Sequence, residues 1–267
     1  MNPRADRTRP RVLLLLPTTT YRAHDFIEAA TRLGAETVVG SDLKQALQDL
    51  QPARGLTLPL RDPAASAERI ADFASRHPLH AVIPTDDETA IVAASASARL
   101  GLPHNPPGAA LAAGRKDELR RLLQAARVRT PRHAVFTSDD DPGELARRQK
   151  YPVVLKPTFM AASRGVIRAD DPREFVAAFQ RIAALLGRPE VKEKGGAAAR
   201  LILVEEFVPG FEVAVEGLLT GGRLRTLALF DKPDPLDGPF FEETIYVTPS
   251  RLPPGVQKEM AATCEAG

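Results

Sequence analysis

The stretch YPVVLKPTFMAASRGVIRA, residues 151–169, decides how this chain is interpreted. Its first half alternates in the way of a strand, which places Val153 and Leu155 on one side. Val154 and Lys156 then lie on the opposite side, and a proline ends the strand. Small residues follow as a loop, and the next apolar run is typical of a returning strand. Lys156 is therefore either a solvated residue at the end of a hairpin or the cation of a phosphate clamp closed by the loop's N–H groups.

The bulk composition indicates an ordinary globular protein. The chain has 267 residues, of which 43% are hydrophobic and 26% charged, with a net charge of +2. This charge is too small to indicate a nucleic-acid partner, and the arginines are scattered. No apolar run is long enough to span a bilayer, and the N-terminal leucines stop at Pro17, which favours a first strand over a signal peptide. The single cysteine, Cys264, excludes an internal disulfide and favours a cytoplasmic protein.

The first hundred residues alternate between apolar strands and amphipathic helices. The predicted strands are 11–16, 36–40 and 80–84, and the predicted helices are 24–34, 42–50, 66–77 and 87–101. This alternation is typical of an α/β domain with a parallel sheet, which binds ligands at the carboxyl ends of its strands. The first turn lacks the G-x-G-x-x-G fingerprint, which weakens the case for a dehydrogenase. Thr85 and Glu88 fit a capping box, and capping is favoured there over substrate contact.

The order of elements changes after a proline- and glycine-rich joint at 102–114, which marks a domain boundary. Asp171, Pro172 and Glu174 are typical of the start of a helix. Residues 187–200 are predicted to form a mobile loop. Three antiparallel strands are predicted after it, at 201–208, 211–219 and 223–230. This half is therefore predicted to be an α+β unit that follows the α/β unit.

Acidic residues surround the turn in VEEFVPGFE, residues 204–212. Glu205 and Glu206 end an apolar strand, and Glu212 follows the turn. A carboxylate at 205 could accept a hydrogen bond from the exocyclic amine of adenine, and an acid past the turn could accept from two ribose hydroxyls. Taken singly, each of these acids is more often a surface residue.

Taken in order, the lysine-bearing strand, the small-residue loop, the capped helix and VEEFVPGFE resemble the ATP-grasp superfamily. The resemblance covers nearly the whole chain and is strongest to the carboxylate–amine ligases, including the L-amino-acid ligases. Biotin carboxylase and carbamoyl-phosphate synthase are more distant relatives within it. The resemblance implies a Rossmann-like domain at 1–108, the small lobe of an ATP-grasp domain at 109–204, and the start of its large lobe at 205–267.

The resemblance implies that two lysines and one loop meet the phosphates of ATP. Lys116 lies on the helix after the joint and Lys156 on the strand that opens the hairpin. Both are expected to bind the phosphates. Ser163, Arg164 and Gly165 belong to the loop that is expected to fold over the triphosphate.

The base and the ribose are assigned by the same resemblance to the segment around VEEFVPGFE. Glu205 is expected to meet the adenine amine, and Glu206 belongs to the same nucleotide-binding set. Phe207 and Val208 are expected to supply backbone contacts to the ring, and Glu212 is expected to hold the ribose.

The stretch 231–253 is similar to the part of the ligases that approaches the acceptor substrate. Lys232 and Glu243 are its candidate catalytic residues, and Glu243 fits a polar strand edge equally well. The family completes its Mg²⁺ site with acids beyond residue 267. We therefore expect a truncated chain that binds nucleotide without turning it over.

The leading hypothesis is an ATP-dependent ligase that uses Mg²⁺, activates a carboxylate as an acyl phosphate and passes it to an amine, with release of ADP. Its partners would be a small-molecule carboxylate and a small-molecule amine, and a homodimer is compatible with this. Two alternatives stay open, a bicarbonate-activating enzyme of the carboxylase kind and a nucleotide-binding remnant without chemistry.

Overall fold

A computed structural model describes residues 9–44, 53–241 and 244–267. The chain divides into two compact units, Met1–Gly114 and Arg115–Gly267. The predicted helix at 42–50 lies largely outside the described residues. None of the described helices combines the length and the apolar character that crossing a membrane requires.

The first unit contains a parallel sheet of four strands in the order β3-β2-β1-β4. Its strands are β1 (Arg11–Leu15), β2 (Glu36–Ser41), β3 (Gly55–Thr57) and β4 (Ala81–Pro84). Its helices are α1 (Ala23–Arg32), α2 (Pro63–Arg76), α3 (Asp87–Leu100) and α4 (Pro107–Ala113). The predicted α/β architecture is confirmed. Strand β3 was not predicted, because three residues are too few to show a period.

The continuous leucines of β1 are explained by its interior position between β2 and β4. Leu13, Leu14 and Leu15 are each at most 1% exposed, so both faces of this strand are covered. The predicted capping box is wrong. The Thr85 hydroxyl donates to the Leu15 carbonyl at 2.8 Å, while the residue that precedes α3 is Asp86, whose side chain makes no cap. Thr85 therefore joins the ends of β1 and β4 instead of capping the helix.

The second unit contains an antiparallel sheet of four strands in the order β5-β8-β6-β7 and a separate pair, β9 and β10. These strands are β5 (His133–Thr137), β6 (Val153–Pro157), β7 (Ile167–Ala169), β8 (Leu201–Glu206), β9 (Val213–Thr220) and β10 (Arg223–Asp231). The helices are α5 (Lys116–Ala125), α6 (Pro142–Ala146), α7 (Pro172–Leu186), α8 (Pro189–Gly195) and α9 (Pro254–Ala266), with a 3-10 helix at Gly196–Arg200. The predicted antiparallel α+β character is confirmed.

Two details of this unit correct the sequence analysis. The predicted mobile loop at 187–200 is helical, because Pro189 starts α8 and the small residues Ala198 and Ala199 are buried in the 3-10 helix that follows. Strand β8 does not continue into a three-stranded meander, since it pairs with β5 and β6. The predicted lobe boundary at 204/205 falls inside β8.

Helix α7 sets which face of β6 is free to form a site. The Asp171 carboxylate accepts from the Glu174 N–H at 2.9 Å, which caps the helix as predicted. The buried face of α7 packs with Val153 and Leu155 of β6 in one core. The opposite face of β6, with Val154 and Lys156, is therefore turned away from this core.

Candidate functional site

A cavity of about 430 Å³ lies beside β6 and the end of β8. Val154 and Lys156 face it from β6, and Arg120 reaches it from α5. Most of the predicted nucleotide-binding residues line its wall, namely Lys156, Ser163, Glu205, Glu206, Phe207, Val208 and Glu212. Sequence positions far apart are thus brought together around one space.

Glu205 is the buried centre of the cavity wall, with a side chain that is 3% exposed. One carboxylate oxygen accepts from Arg120 Nε at 2.5 Å, and the other forms an ion pair with Lys156 Nζ. Burial alone would raise the pKa of Glu205, but the charges and hydrogen bonds of Lys156 and Arg120 outweigh it and lower this pKa. The carboxylate is therefore ionised and acts only as an acceptor.

Lys116 is held next to this group by the loop after β6. Its N–H donates to the Thr158 carbonyl at 2.8 Å, and Nζ donates to the Met160 carbonyl at 2.5 Å. Burial lowers the pKa of Lys116, and the nearby charge of Lys156 lowers it further. Lys116, Arg120 and Lys156 together outnumber the single carboxylate of Glu205. This cluster, the cation cluster, has an excess of positive charge that suits an anionic ligand.

The loop between β6 and β7 has a constrained backbone. Ala162 and Ser163 have φ angles of 55° and 52°, a conformation that non-glycine residues rarely adopt. Gly165 has φ 77°, and a Cβ there would lie 2.9 Å from Pro157 Cγ. Ser163 lines the cavity, whereas Arg164 is exposed and, like Gly165, stays outside the lining. Only one of the three predicted loop residues thus reaches the cavity in this state.

The two backbone groups predicted to contact the base differ in availability. The Phe207 N–H donates to the Pro152 carbonyl at 3.1 Å and is used within the fold. The Val208 N–H has no acceptor within the part of the chain that the structure describes, and Val208 is 64% exposed. Val208 is therefore the better donor for a ligand.

Glu206 is engaged on the outer side of β8. Its carboxylate accepts from the Arg132 N–H at 2.9 Å and from Arg132 Nε at 2.6 Å. These hydrogen bonds, the backbone one first, lower the pKa of Glu206. The side chain thus supports the strand end, and it is less available to a ligand than Glu205.

The predicted ribose acid and the predicted catalytic lysine are paired with each other. Lys232 Nζ lies 2.5 Å from an oxygen of Glu212, whose side chain is 51% exposed. Lys232 lines a second cavity of about 340 Å³, which shares Phe211 and Glu212 with the first. Glu243 lies outside the described residues, so its predicted role is not placed by the structure.

Arg120 is the site residue that the sequence analysis missed. It follows Lys116 by four positions, a spacing that places both residues on one face of α5. This spacing was the available signal. Its partner Glu205 lies 85 positions away, so the ion pair itself had no local signature.

The described residues offer no ligand set for a metal ion. No group of three or more His, Cys, Asp or Glu side chains within 9–44, 53–241 and 244–267 is arranged to hold one. The use of Mg²⁺ therefore stays a prediction.

Comparison with known families decides the identity of this fold. Residues 149–267 match the ATP-grasp domain, and residues 27–104 match the ATP-grasp N-terminal domain. The chain belongs to the ATP-grasp superfamily. The L-amino acid ligase from Bacillus licheniformis has a similar structure, with a TM-score of 0.78 and 25% sequence identity, over 98% of this chain and 61% of that one.

Two curated relatives of this ATP-grasp chain are also ligases by name. The D-alanine–D-alanine ligase of Pseudomonas putida is 29% identical, over 49% of this chain and 37% of the relative. The alanine–anticapsin ligase of Bacillus amyloliquefaciens is 27% identical, over 69% of this chain and 41% of the relative. The chain thus spans about two fifths of the length of these relatives.

Proposed function

We propose that the protein is an ATP-dependent carboxylate–amine ligase and that the described cavity binds its adenine nucleotide. The observation that carries this proposal is the cation cluster around the ionised Glu205, of which Arg120 and Lys156 line the cavity while Lys116 lies partly buried beside them. Charge-assisted hydrogen bonds from lysine and arginine are the strongest contacts that a phosphate receives in a protein. Three cations surround Glu205, and the other two carboxylates of the lining, Glu206 and Glu212, are paired with Arg132 and Lys232. This balance favours a polyphosphate ligand.

The same cluster favours adenine as the base. An ionised Glu205 can accept a hydrogen bond but cannot donate one. Adenine presents an amine donor at its six-position, where guanine presents an oxygen acceptor. The free Val208 N–H can donate to a ring nitrogen beside it. Glu212 can accept from the ribose hydroxyls, provided that it shares or releases Lys232.

The proposed reaction has two steps. A carboxylate oxygen attacks the terminal phosphorus of ATP, the bond to the bridging oxygen breaks, and ADP leaves. An amine then attacks the acyl carbon of the acyl phosphate, inorganic phosphate leaves, and the nitrogen loses a proton. The described residues contribute by binding the phosphates and neutralising their charge, which is the main demand of phosphoryl transfer.

The names of the relatives support the substrate class. Alanine, D-alanine and anticapsin appear in those names, which favours a small amino acid on at least one side of the bond formed. The use of Mg²⁺, the cytoplasmic location and the homodimer are further predictions. They accompany this function without being needed for nucleotide binding.

Calorimetry of the 267-residue chain with ADP and GDP tests the nucleotide part of the proposal. We expect ADP to bind more tightly, because at the six-position adenine offers Glu205 a donor, whereas guanine places an acceptor there. Equal affinity for the two nucleotides would contradict the role of Glu205. Phosphate release over a panel of amino acids, with Mg²⁺ present, tests the ligase part. Release that depends on an amino acid would support it, and no release with any amino acid of the panel would contradict it.

A further inference from the structure

Arg168 connects three parts of the second unit although it does not line the cavity. Its guanidinium carbon lies 4.1 Å from the centroid of the Phe207 ring. Nη1 donates to the Asp237 carbonyl at 2.7 Å, and Nε donates to Asp170 at 2.7 Å. The Arg168 side chain is 22% exposed, so these contacts are largely shielded from solvent.

The backbone of Arg168 binds the same segment as its side chain. The Arg168 N–H donates to the Pro239 carbonyl at 2.9 Å, and the neighbouring Ile167 bridges to Phe240 in antiparallel fashion. A Cβ at Gly238 would lie 2.8 Å from Arg168 Cβ, so the backbone at 238 passes the Arg168 side chain more closely than any residue but glycine permits. The segment 236–241 is therefore laid along β7.

This segment forms one wall of the nucleotide cavity. Leu236 and Phe241, at its two ends, both line the cavity, and so does Phe207 from the end of β8. Arg168 contacts the Phe207 ring on one side and donates hydrogen bonds to the segment 236–241 on the other. It is the link between these two apolar parts of the wall.

We propose that Arg168 is a positioning residue that orders the base-side wall of the nucleotide cavity. This inference rests on the proposed nucleotide binding. A wall that is already ordered avoids the entropy loss that a ligand would otherwise have to offset on binding. Among the described residues, Arg168 contacts Phe207 and the segment 236–241 but forms no hydrogen bond or ion pair with the cation cluster. Its loss should therefore weaken binding of the nucleoside and leave binding of the phosphates unchanged.

The test compares three ligands on Arg168→Met by calorimetry: ADP, adenosine and inorganic tripolyphosphate. The wild type should bind ADP. We expect ADP and adenosine to weaken by the same factor, roughly three- to thirtyfold, as the loss of a cation–π contact implies. Tripolyphosphate affinity should stay unchanged. Arg168→Lys should recover part of the loss, because lysine keeps a cation near Phe207 without the same reach to Asp237.

A double-mutant cycle with Phe207→Leu and an exposed control, Arg173→Met, separates positioning from general destabilisation. In the Phe207→Leu background, Arg168→Met should cost less affinity than in the wild type. Arg173→Met should leave all three affinities unchanged. If Arg168→Met fails to fold, Arg168→Lys and Phe207→Leu carry the comparison.

Two outcomes overturn the inference alone: ADP affinity unchanged in Arg168→Met, or tripolyphosphate weakened as much as adenosine. Failure of the wild-type chain to bind ADP overturns the proposed function and the inference with it. The two failures are therefore distinguishable in one set of titrations.

Discussion

Two acids of the same cavity, Glu205 and Glu212, occupy opposite environments. Glu205 lies in β8, with a side chain that is 3% exposed and paired with two cations. Glu212 lies just before β9, with a side chain that is 51% exposed and paired with Lys232. The difference indicates that the end of the cavity at Glu205 is preformed in the core, while the end at Glu212 can exchange its partners.

The largest expected effect comes from removing the buried acid. Glu205→Leu leaves Arg120 and Lys156 without their counter-charge, and breaking a buried pair costs roughly 3–5 kcal/mol of unfolding free energy. Glu212→Leu is the matched control, and we expect it to cost at most about 1 kcal/mol because the Glu212 side chain is half exposed. Urea unfolding of both variants measures the contrast. Equal losses would contradict the comparison between the two acids.

The next effect concerns ligand binding. Lys156→Met should weaken ATP by about ten- to a hundredfold, because a charge-assisted contact contributes roughly 1.5–3 kcal/mol. Adenosine should weaken far less, since it has no phosphate for the lysine to meet. Calorimetry with both ligands measures this, with the exposed Lys192→Met as control. A common factor for ATP and adenosine would show that Lys156 supports the fold and does not bind the anion.

The third effect concerns the backbone of the loop between β6 and β7, which borders the Glu205 end of the cavity. Gly165→Ala places a Cβ in a left-handed conformation and against Pro157, so we expect a loss of about 1–3 kcal/mol in unfolding free energy. Gly196→Ala is the matched control, with φ 51° but nothing within 4 Å of the added carbon. Its loss should be smaller. Thermal unfolding that ranks the two variants in the reverse order would contradict the crowding at Gly165.

The smallest effect is expected in the dependence of the unfolding free energy on acidic pH. The pKa of Glu205 is lowered from its ordinary value of 4.5, so its ionised form stabilises the folded state. This contribution is complete above the unfolded pKa and is lost as the pH falls through the folded pKa. The difference in unfolding free energy between the wild type and Glu205→Gln should therefore become smaller as the pH is lowered from 7 to 3. A constant difference over that range, in urea titrations, would show that ionisation of Glu205 is not involved.

Much of the fold could be predicted because its signals are local. The alternation of Val153 and Leu155 with Val154 and Lys156 placed the hairpin, and Asp171 with Glu174 placed the start of α7. The helical segment at 187–200 was missed because its charged and glycine-rich sequence hides the few small residues that pack. Strand pairing was also missed, since the period of β8 shows its faces but not its partners.

The site was predictable to a similar depth. The order of motifs predicted seven of the sixteen residues that line the cavity, including Glu205 and Val208. It could not show that the Phe207 N–H is already used by Pro152, or that Arg120 pairs with Glu205. These facts depend on which side chains meet after folding, and residues distant in sequence carry no local trace of that.

The interior position of β8 has a consequence for the rates of motion at the site. Glu205 is aligned with His133 of β5 on one side and Val154 of β6 on the other, so its backbone cannot move without opening the sheet. Amide hydrogens in such a strand exchange with solvent only through the rarest, most global opening events. Glu212 lies at the frayed end of the two-stranded β9–β10 pair, where its carbonyl accepts from the Lys232 N–H at 3.2 Å, so its backbone can exchange through local opening. Amide hydrogen exchange should therefore be slow at the Glu205 end of the cavity, where it needs unfolding of the unit. It should be faster at the Glu212 end, where local motion of a turn is enough.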